Sequence, residues 1–415
     1  MDNLTHTLVG ALVAETAARV IPSIKSTLPE TTRRDLYLAV MVVGSNLPDL
    51  DSLYAGITGG TLGYLLHHRG HTHTVLGAIA LAALMFGICR WWLQRRRLPP
   101  SPADQLGLAL ITLLAPLLHL AMDATNEYGV HPFWPFNNDW MYGDAIFIVE
   151  PLFWAAAAPL VFLFHGRVAR SVIGGILLVG IALSFGTGLV PRPMAVCLTL
   201  LTVGLLLIGW RANGLTAAKS GLAAALGIIA MFMVASYLAN RQLRAVVAAQ
   251  FPDALLLDAV LAPLPVNPVC WEIITVQLDG NRYTLRTAML SLAPAWIPAA
   301  QCPELGVNGS TTLALTPVTA TDSSALQWNG ENTMALGELQ SLLQSDCEAA
   351  AFTRFARTLW ISRSENTWLI GDLRYDREPG LGFAEMELTA TTQSPVSLEC
   401  PRWIPPWTPP RSDLL

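Results

Sequence analysis

His67-His68-Arg69-Gly70-His71-Thr72-His73-Thr74 holds four of the chain's eight histidines, and it runs straight into residues 75–93, an apolar stretch with one charge. Crossing bilayer hydrocarbon takes about 20 helical residues, so that stretch is long enough to span. A histidine cluster with an arginine, set where a membrane helix begins, points to metal chemistry at a membrane surface. Imidazole is a strong ligand for divalent transition metals, and ionisable groups beside hydrocarbon are costly unless they serve a function.

The rest of the composition agrees with a membrane chain. Of 415 residues, 53% are hydrophobic and 13% charged, and the mean hydropathy is +0.45, which excludes an ordinary soluble protein. A net charge of −5 leaves no basic footprint for nucleic acid or for polybasic binding to a lipid surface. The opening Met1-Asp2-Asn3-Leu4-Thr5-His6 lacks the basic start of a secretory signal, and its reading as mature sequence keeps His6 as a candidate ligand. Apolar runs at 4–20, 36–48, 74–93, 105–122, 145–164, 171–190, 194–210 and 220–239 predict a bundle of about eight helices. The first two are the weakest, suited to tilted or re-entrant helices.

Charge placement orients the set. Lys25, Arg33, Arg34, then Arg90 and Arg95–Arg97, then Arg167 and Arg170, then Arg211 and Lys219 fall at alternate junctions. The positive-inside rule makes those junctions cytoplasmic and the N-terminus outside. Arg192 is the dissenting charge. An eight-helix chain that starts outside also ends outside, which places the final third in an oxidising compartment. Cys270, Cys302, Cys347 and Cys400 all lie in that third, as two disulfides would require, whereas Cys89 and Cys197 are expected as small buried side chains in helices. From about residue 245 the sequence predicts an α+β domain. Strands at 271–278 and 281–290 flank Asp279-Gly280, a hairpin signal; a helix covers 332–357, further strands cover 358–361 and 367–375, and an extended Pro/Trp tail follows at 401–410.

With this topology one membrane face collects His6, Asp49, Asp51, the histidine cluster, His119, Asp123 and His131, followed by Asp139, Asp144 and Glu150. The His119-x-x-x-Asp123 spacing puts both side chains on one helix face, where they can share an ion. Imidazole with carboxylate suits zinc, and also manganese or iron. Singly, each has a plainer reading: a buried His–Asp hydrogen bond, or an Asx turn after Pro48. Within the cluster, consecutive His67 and His68 cannot both face one ion from a helix. Arg69 fits an anionic substrate oxygen, or else neutralises Asp49 or Asp51. The aromatics at 133–142 suit an interfacial belt. No Walker loop, H-E-x-x-H, G-x-S-x-G or dinucleotide fingerprint competes.

Together Asp2-x-x-Thr5-His6, Leu47-Pro48-Asp49-x-Asp51, His68-Arg69-Gly70-x-Thr72-His73-Thr74 and His119-x-x-x-Asp123 resemble the YdjM-like family of membrane-bound metal-dependent hydrolases, also called LexA-binding inner-membrane hydrolases. The resemblance covers roughly residues 1–155. It departs from the family at Glu150-Pro151, where aspartate is the expected residue, and at Thr74, where serine is usual. The order of ligands is also similar, more loosely, to zinc-dependent phospholipase C and related zinc nucleases. These resemblances imply His6, Asp49, Asp51, His68, His73, His119 and Asp123 as metal ligands, with zinc the favoured ion.

The sequence therefore predicts a mostly α polytopic membrane protein of the inner membrane in three parts: a hydrolase-like domain at 1–155, additional transmembrane helices at 156–244, and an extracytoplasmic α+β domain at 245–415. Its expected activity is attack by metal-bound hydroxide on an ester, a phosphoester of a lipid or envelope component, with Arg69 and Asp51 in catalytic roles. Membrane lipids are the expected partners and nucleic acid is not. The alternatives are a transporter using the same His/Asp cluster and a non-catalytic membrane scaffold. Ionisable residues clustered at helix ends rather than at mid-helix favour the enzyme.

Overall fold

In hydrocarbon every backbone polar group must find an internal partner, so an apolar chain of this kind spans as helices. The computed structural model describes residues 1–20, 26–58, 60–305, 312–364, 367–378, 380–389 and 403–415. Helices α1 (Asn3–Val20) and α2 (Glu30–Gly44) run antiparallel: the Ser45 hydroxyl donates to the His6 carbonyl at one end, and Arg33 reaches the Ala18 carbonyl at the other. Gly10 permits this approach, since a Cβ there would sit 2.8 Å from Ser45 Oγ and 3.0 Å from the Met41 carbonyl oxygen.

A 3-10 segment (Leu47–Tyr54), α3 (Ala55–Thr58), α4 (Gly60–His67) and a 3-10 turn (His71–His73) then carry the chain across the end of the bundle. Thr74 starts α5 (Val75–Arg95) by accepting from Gly77 N at 2.8 Å. A hydroxyl is what this N-cap needs, and threonine supplies it as serine would. α6 (Pro102–Asp123) opens with a Ser101/Asp104 capping box and returns to the same end. After the loop 124–150 come α7 (Pro151–Ala156), α8 (Leu160–Leu163), α9 (Arg167–Gly186), α10 (Arg192–Arg211) and α11 (Gly214–Gln250). At 37 residues α11 is roughly 55 Å long, well beyond the hydrocarbon core, and its far end packs on the C-terminal domain.

Among the described residues five helices, α5, α6, α9, α10 and α11, are long and apolar enough to cross a membrane. The run at 145–164 is not one helix but the short pair α7 and α8, broken at Pro159, which has no N–H to continue the ladder. α1 and α2 line the interior beside these helices. Arg34 meets His165 at 3.3 Å and donates to the Leu163 carbonyl, while Gly214 lies against Arg19. These contacts gather Arg19 of α1 and Arg34 of α2 with the C-terminal end of α8 and the N-terminal end of α11 at the end of the bundle remote from the histidine cluster. Lys25 lies outside the described residues.

The C-terminal domain holds two antiparallel sheets. The first is the meander β1 (Leu255–Leu264), β2 (Asn267–Asp279), β3 (Arg282–Ser291) and β4 (Leu326–Ala335). Asp279 pairs with Arg282, so Gly280 (φ +58°) and Asn281 form the turn, one position later than the sequence suggests. The predicted helix at 332–357 is corrected. Residues 332–335 complete β4, and the remainder divides into α12 (Leu336–Ser345) and α13 (Cys347–Phe352), because the Asp346 carboxylate accepts from Glu348 N and Ala349 N and starts a new helix. β5 (Leu359–Ser364), β6 (Thr367–Asp372) and β7 (Glu385–Thr389) make the second sheet. β1 escapes the sequence reading because its last six residues are all buried, which erases alternation. Cys270 and Cys302 form a disulfide and Cys347 is also disulfide-bonded, while Cys400 lies outside the described residues. Cys89 is partly exposed and Cys197 exposed, not buried as expected.

Buried polar contacts fasten this domain onto α4 and onto the loop that follows α6. Arg357 binds Asp144 and Asp258 at 2.8 Å each, Arg374 donates to the Glu127 carbonyl at 2.6 Å, and Trp407 donates to the Leu66 carbonyl at 2.7 Å. Arg357→Met strands two carboxylates, so we expect a loss of about 3 kcal/mol, read as a lower melting temperature in detergent and faster proteolysis of the C-terminal domain. Unchanged melting would show that the domain docks by its apolar contacts alone.

Candidate metal centre

The site forms because three segments end at the same place. α6 delivers His119 and Asp123 one turn apart at its last turn. The 3-10 segment after α2 places Asp49 and Asp51, and the turn before α5 places His73. Arg69 (φ +59°) takes the left-handed conformation that lets His68, Arg69 and His73 face inward from one tight bend.

At the centre, four donor atoms converge. His73 Nε2 and His119 Nε2 are 2.9 Å apart; Asp49 Oδ1 is 3.3 and 3.5 Å from them, and Asp123 Oδ2 is 3.3 Å from each. Ligands about 2.0–2.1 Å from a common ion stand roughly 3.3 Å apart in a tetrahedral shell. The proton placement agrees with that spacing. His119 Nδ1 is 2.7 Å from the Ser45 carbonyl, which can only accept, so Nδ1 carries the proton and Nε2 presents a lone pair. His73 Nδ1 donates to Asp51 Oδ2 at 2.9 Å, with the same consequence. Two ring lone pairs and two carboxylate oxygens therefore face one point, and Asp123 Oδ2 is buried with an ion pair to Arg69 but no hydrogen bond among the described residues. A divalent cation satisfies all four.

Asp51 holds the ligands in place. Its Oδ2 accepts from Arg69 N (3.0 Å), Thr72 Oγ1 (2.7 Å) and His73 Nδ1, and its Oδ1 meets His68 Nδ1 at 3.0 Å. The carboxylate–histidine–metal relay fixes tautomer and ring direction. Asp49, Asp51 and His68 also make a second group whose candidate ligand atoms lie within 4.8 Å of one another, sharing Asp49 with the first. Burial would raise the Asp51 carboxyl, but hydrogen bonds from His68 and His73 outweigh it and hold Asp51 below the usual carboxylate range. Burial pushes His68 down despite Asp51. These groups are thus in the deprotonated forms that metal binding requires.

The other expected residues fall around this core. His6 Nε2 meets Asp123 Oδ1 at 3.2 Å, its ring stacks on His119 at 4.0 Å, and the Met1 amino group contacts the same oxygen, so His6 lies beside the four-atom cluster rather than in it. Arg69 is 2% exposed. Its Nε is 3.1 Å from Asp123 Oδ2, its Nη1 donates to Asn126 Oδ1 at 2.7 Å, and its guanidinium lies over the Tyr128 ring. The expected partners Asp49 and Asp51 are not the ones its side chain takes. His67 contacts the Trp403 carbonyl, and His71 packs on Trp134 and Trp407. His131 stacks on Trp407 and burial lowers it to about 3. Asp144 and Glu150 do not reach the centre: Asp144 pairs with Arg357, and Glu150 caps α7 while accepting from Val266 N of the C-terminal domain. Asp2 caps α1 through Thr5. Sequence reasoning missed Ser45, Asn126 and Tyr128. Asn126, three residues past Asp123, was within reach of a local reading, whereas the Ser45 carbonyl carries no side-chain signal.

A 151-residue stretch, 36% of the chain, is 26% identical to the uncharacterized protein YfhP of Bacillus subtilis (strain 168), and the match spans 42% of that protein. No solved structure matches, so the likeness to zinc phospholipases and nucleases rests on ligand order alone. The family model described as YdjM inner membrane protein matches residues 1–211, just over half the chain and the part that builds the candidate metal centre: this membrane protein belongs to the YdjM inner membrane protein family.

Proposed function

We propose that the protein is a metal-dependent hydrolase of ester bonds, a phosphoesterase whose substrate is a membrane lipid or another envelope component. The observation that carries this reading is the convergence of two histidine lone pairs and two carboxylate oxygens on one point, beside a buried arginine. A divalent cation held by Asp49, His73, His119 and Asp123, zinc being the ion these donors favour, supplies an activated water and withdraws charge from the ester. The chain's own groups do the rest. Arg69 faces the negative charge that develops on the ester oxygens, Asp51 keeps His73 aimed, and the docked C-terminal domain covers the site from water. Asp49, Asp51, His68 and His73 lie in turns at the bundle end rather than inside long helices, which supports a fixed surface site over a transit path.

By the positive-inside rule the arginine-rich end is cytoplasmic, leaving the centre and the disulfide-bearing domain outside, where disulfides persist. Protein purified from zinc-supplemented cells should contain tightly bound metal and release nitrophenol from bis(p-nitrophenyl) phosphate in a chelator-sensitive way. Metal-free protein after gentle purification sinks the reading. His71→Cys in a background lacking Cys89 and Cys197 should react with impermeant maleimide from outside, and reactivity only from the cytoplasm overturns the orientation.

A further inference from the structure

A cavity of about 430 Å³ lies between the metal centre and the C-terminal domain. His68, Arg69, Asn126 and Tyr128 line it from the membrane half, and Tyr375 and Phe383 from the C-terminal domain. Three of its donors have no hydrogen-bond partner among the described residues. Asn126 is 2% and Tyr128 5% exposed. Asn126 Oδ1 already accepts from Arg69 and from Tyr128 N, which fixes the amide and leaves its Nδ2 unpaired; the Tyr128 and Tyr375 hydroxyls are buried and unpaired as well. A buried donor left without a partner costs about 1–3 kcal/mol, and here three such donors line one cavity beside a candidate metal centre. The remaining wall combines apolar and aromatic side chains with Glu378 and the Arg377–Glu127 ion pair; Tyr64 stacks on His68, and Phe383 meets both Tyr64 and Tyr375 edge-on.

We propose that this cavity binds the oxygen-rich, phosphoryl-bearing head group of the substrate, with Asn126, Tyr128 and Tyr375 donating to its oxygens, so that the C-terminal domain contributes to substrate selection through Tyr375. The phosphoryl charge rests on the phosphoesterase reading; the hydrogen bonding to oxygen acceptors does not. Tyr375→Phe removes one hydroxyl that has no hydrogen-bond partner among the described residues, so folding should not suffer.

The test is calorimetric binding of glycerol phosphate, and of the uncharged polyol inositol, to zinc-loaded full-length protein in detergent. Tyr375→Phe and Tyr128→Phe are each expected to weaken glycerol phosphate about tenfold, with bound metal and melting temperature unchanged. Tyr375→Phe with wild-type affinity overturns the assignment, as does loss of metal or of thermal stability in that variant, which would mark a structural role. If inositol binds as well as glycerol phosphate and with the same Tyr375 dependence, the phosphoester reading falls and the cavity assignment stands. If glycerol phosphate binds without Tyr375 dependence, the reverse holds. Binding of neither sinks both.

Discussion

His73→Ala is expected to leave a folded protein that holds no stoichiometric metal and hydrolyses the test diester at least roughly 10³-fold more slowly, because groups that act as one unit fail together. His73 is the most connected ligand: its Nε2 lies within 3.3 Å of His119, Asp49 and Asp123, and its Nδ1 is anchored on Asp51. Charge gives the reason for a cation. Asp49, Asp51 and Asp123 gather around His73 while the Arg69 guanidinium pairs with Asp123 alone, which leaves the charges of Asp49 and Asp51 uncompensated in a mostly buried site. One divalent ion cancels them. Removing the ion should therefore destabilise the protein as well as silence it: ligand binding at a thousandfold excess over Kd stabilises by about 4 kcal/mol, so chelation should lower the melting temperature and zinc should restore it. Asp51→Asn gives the graded control. It keeps the shape but weakens the grip on His73, and metal affinity should fall about 10–100-fold. A His73→Ala protein that still carries one equivalent of metal would remove the centre from this position.

How much of this the sequence could reveal depends on whether an interaction is local. His119-x-x-x-Asp123 is a one-turn pair on a helix, and the two ends of that pair meet as spacing requires. The apolar runs of α5, α6, α9, α10 and α11 are legible because nothing but a helix satisfies backbone groups in lipid. Asp51 is legible as part of the site, but its task is not. Only the bend at Arg69 and Gly70 brings Arg69 N, Thr72 and His73 onto one oxygen. Glu150 is the opposite case. It belongs to the face that the sequence collects, yet its carboxylate is taken by Leu152 N and by Val266 N, a residue 116 positions away. The cavity donors Tyr128 and Tyr375 are farther apart still, and no periodicity connects them.

Arg69→Lys and Arg69→Met should separate the two things an arginine can do beside a cation, and they are expected to move metal affinity and turnover in opposite directions. Neither adds backbone cost, since any side chain at φ +59° bears the strain that arginine already bears. If Arg69 only neutralised Asp123, removing its positive charge would strengthen cation binding and leave turnover intact. If it only oriented Asp123, both would fall. The geometry favours a third result. The Asp123 carboxylate is also held by His6 and by the Met1 amino group, so its position survives the loss of Arg69. The guanidinium is itself pinned by Asn126 and lies over Tyr128 on the wall of the cavity, which is how a group awaiting an anion is preorganised. We therefore expect Arg69→Met to bind zinc as tightly as wild type or tighter, and to lose about 10²–10³-fold in turnover. Arg69→Lys should recover charge but not the planar two-sided grip, and so regain only part of that loss. Turnover unchanged in Arg69→Met, measured at saturating zinc, would reduce Arg69 to a counter-charge.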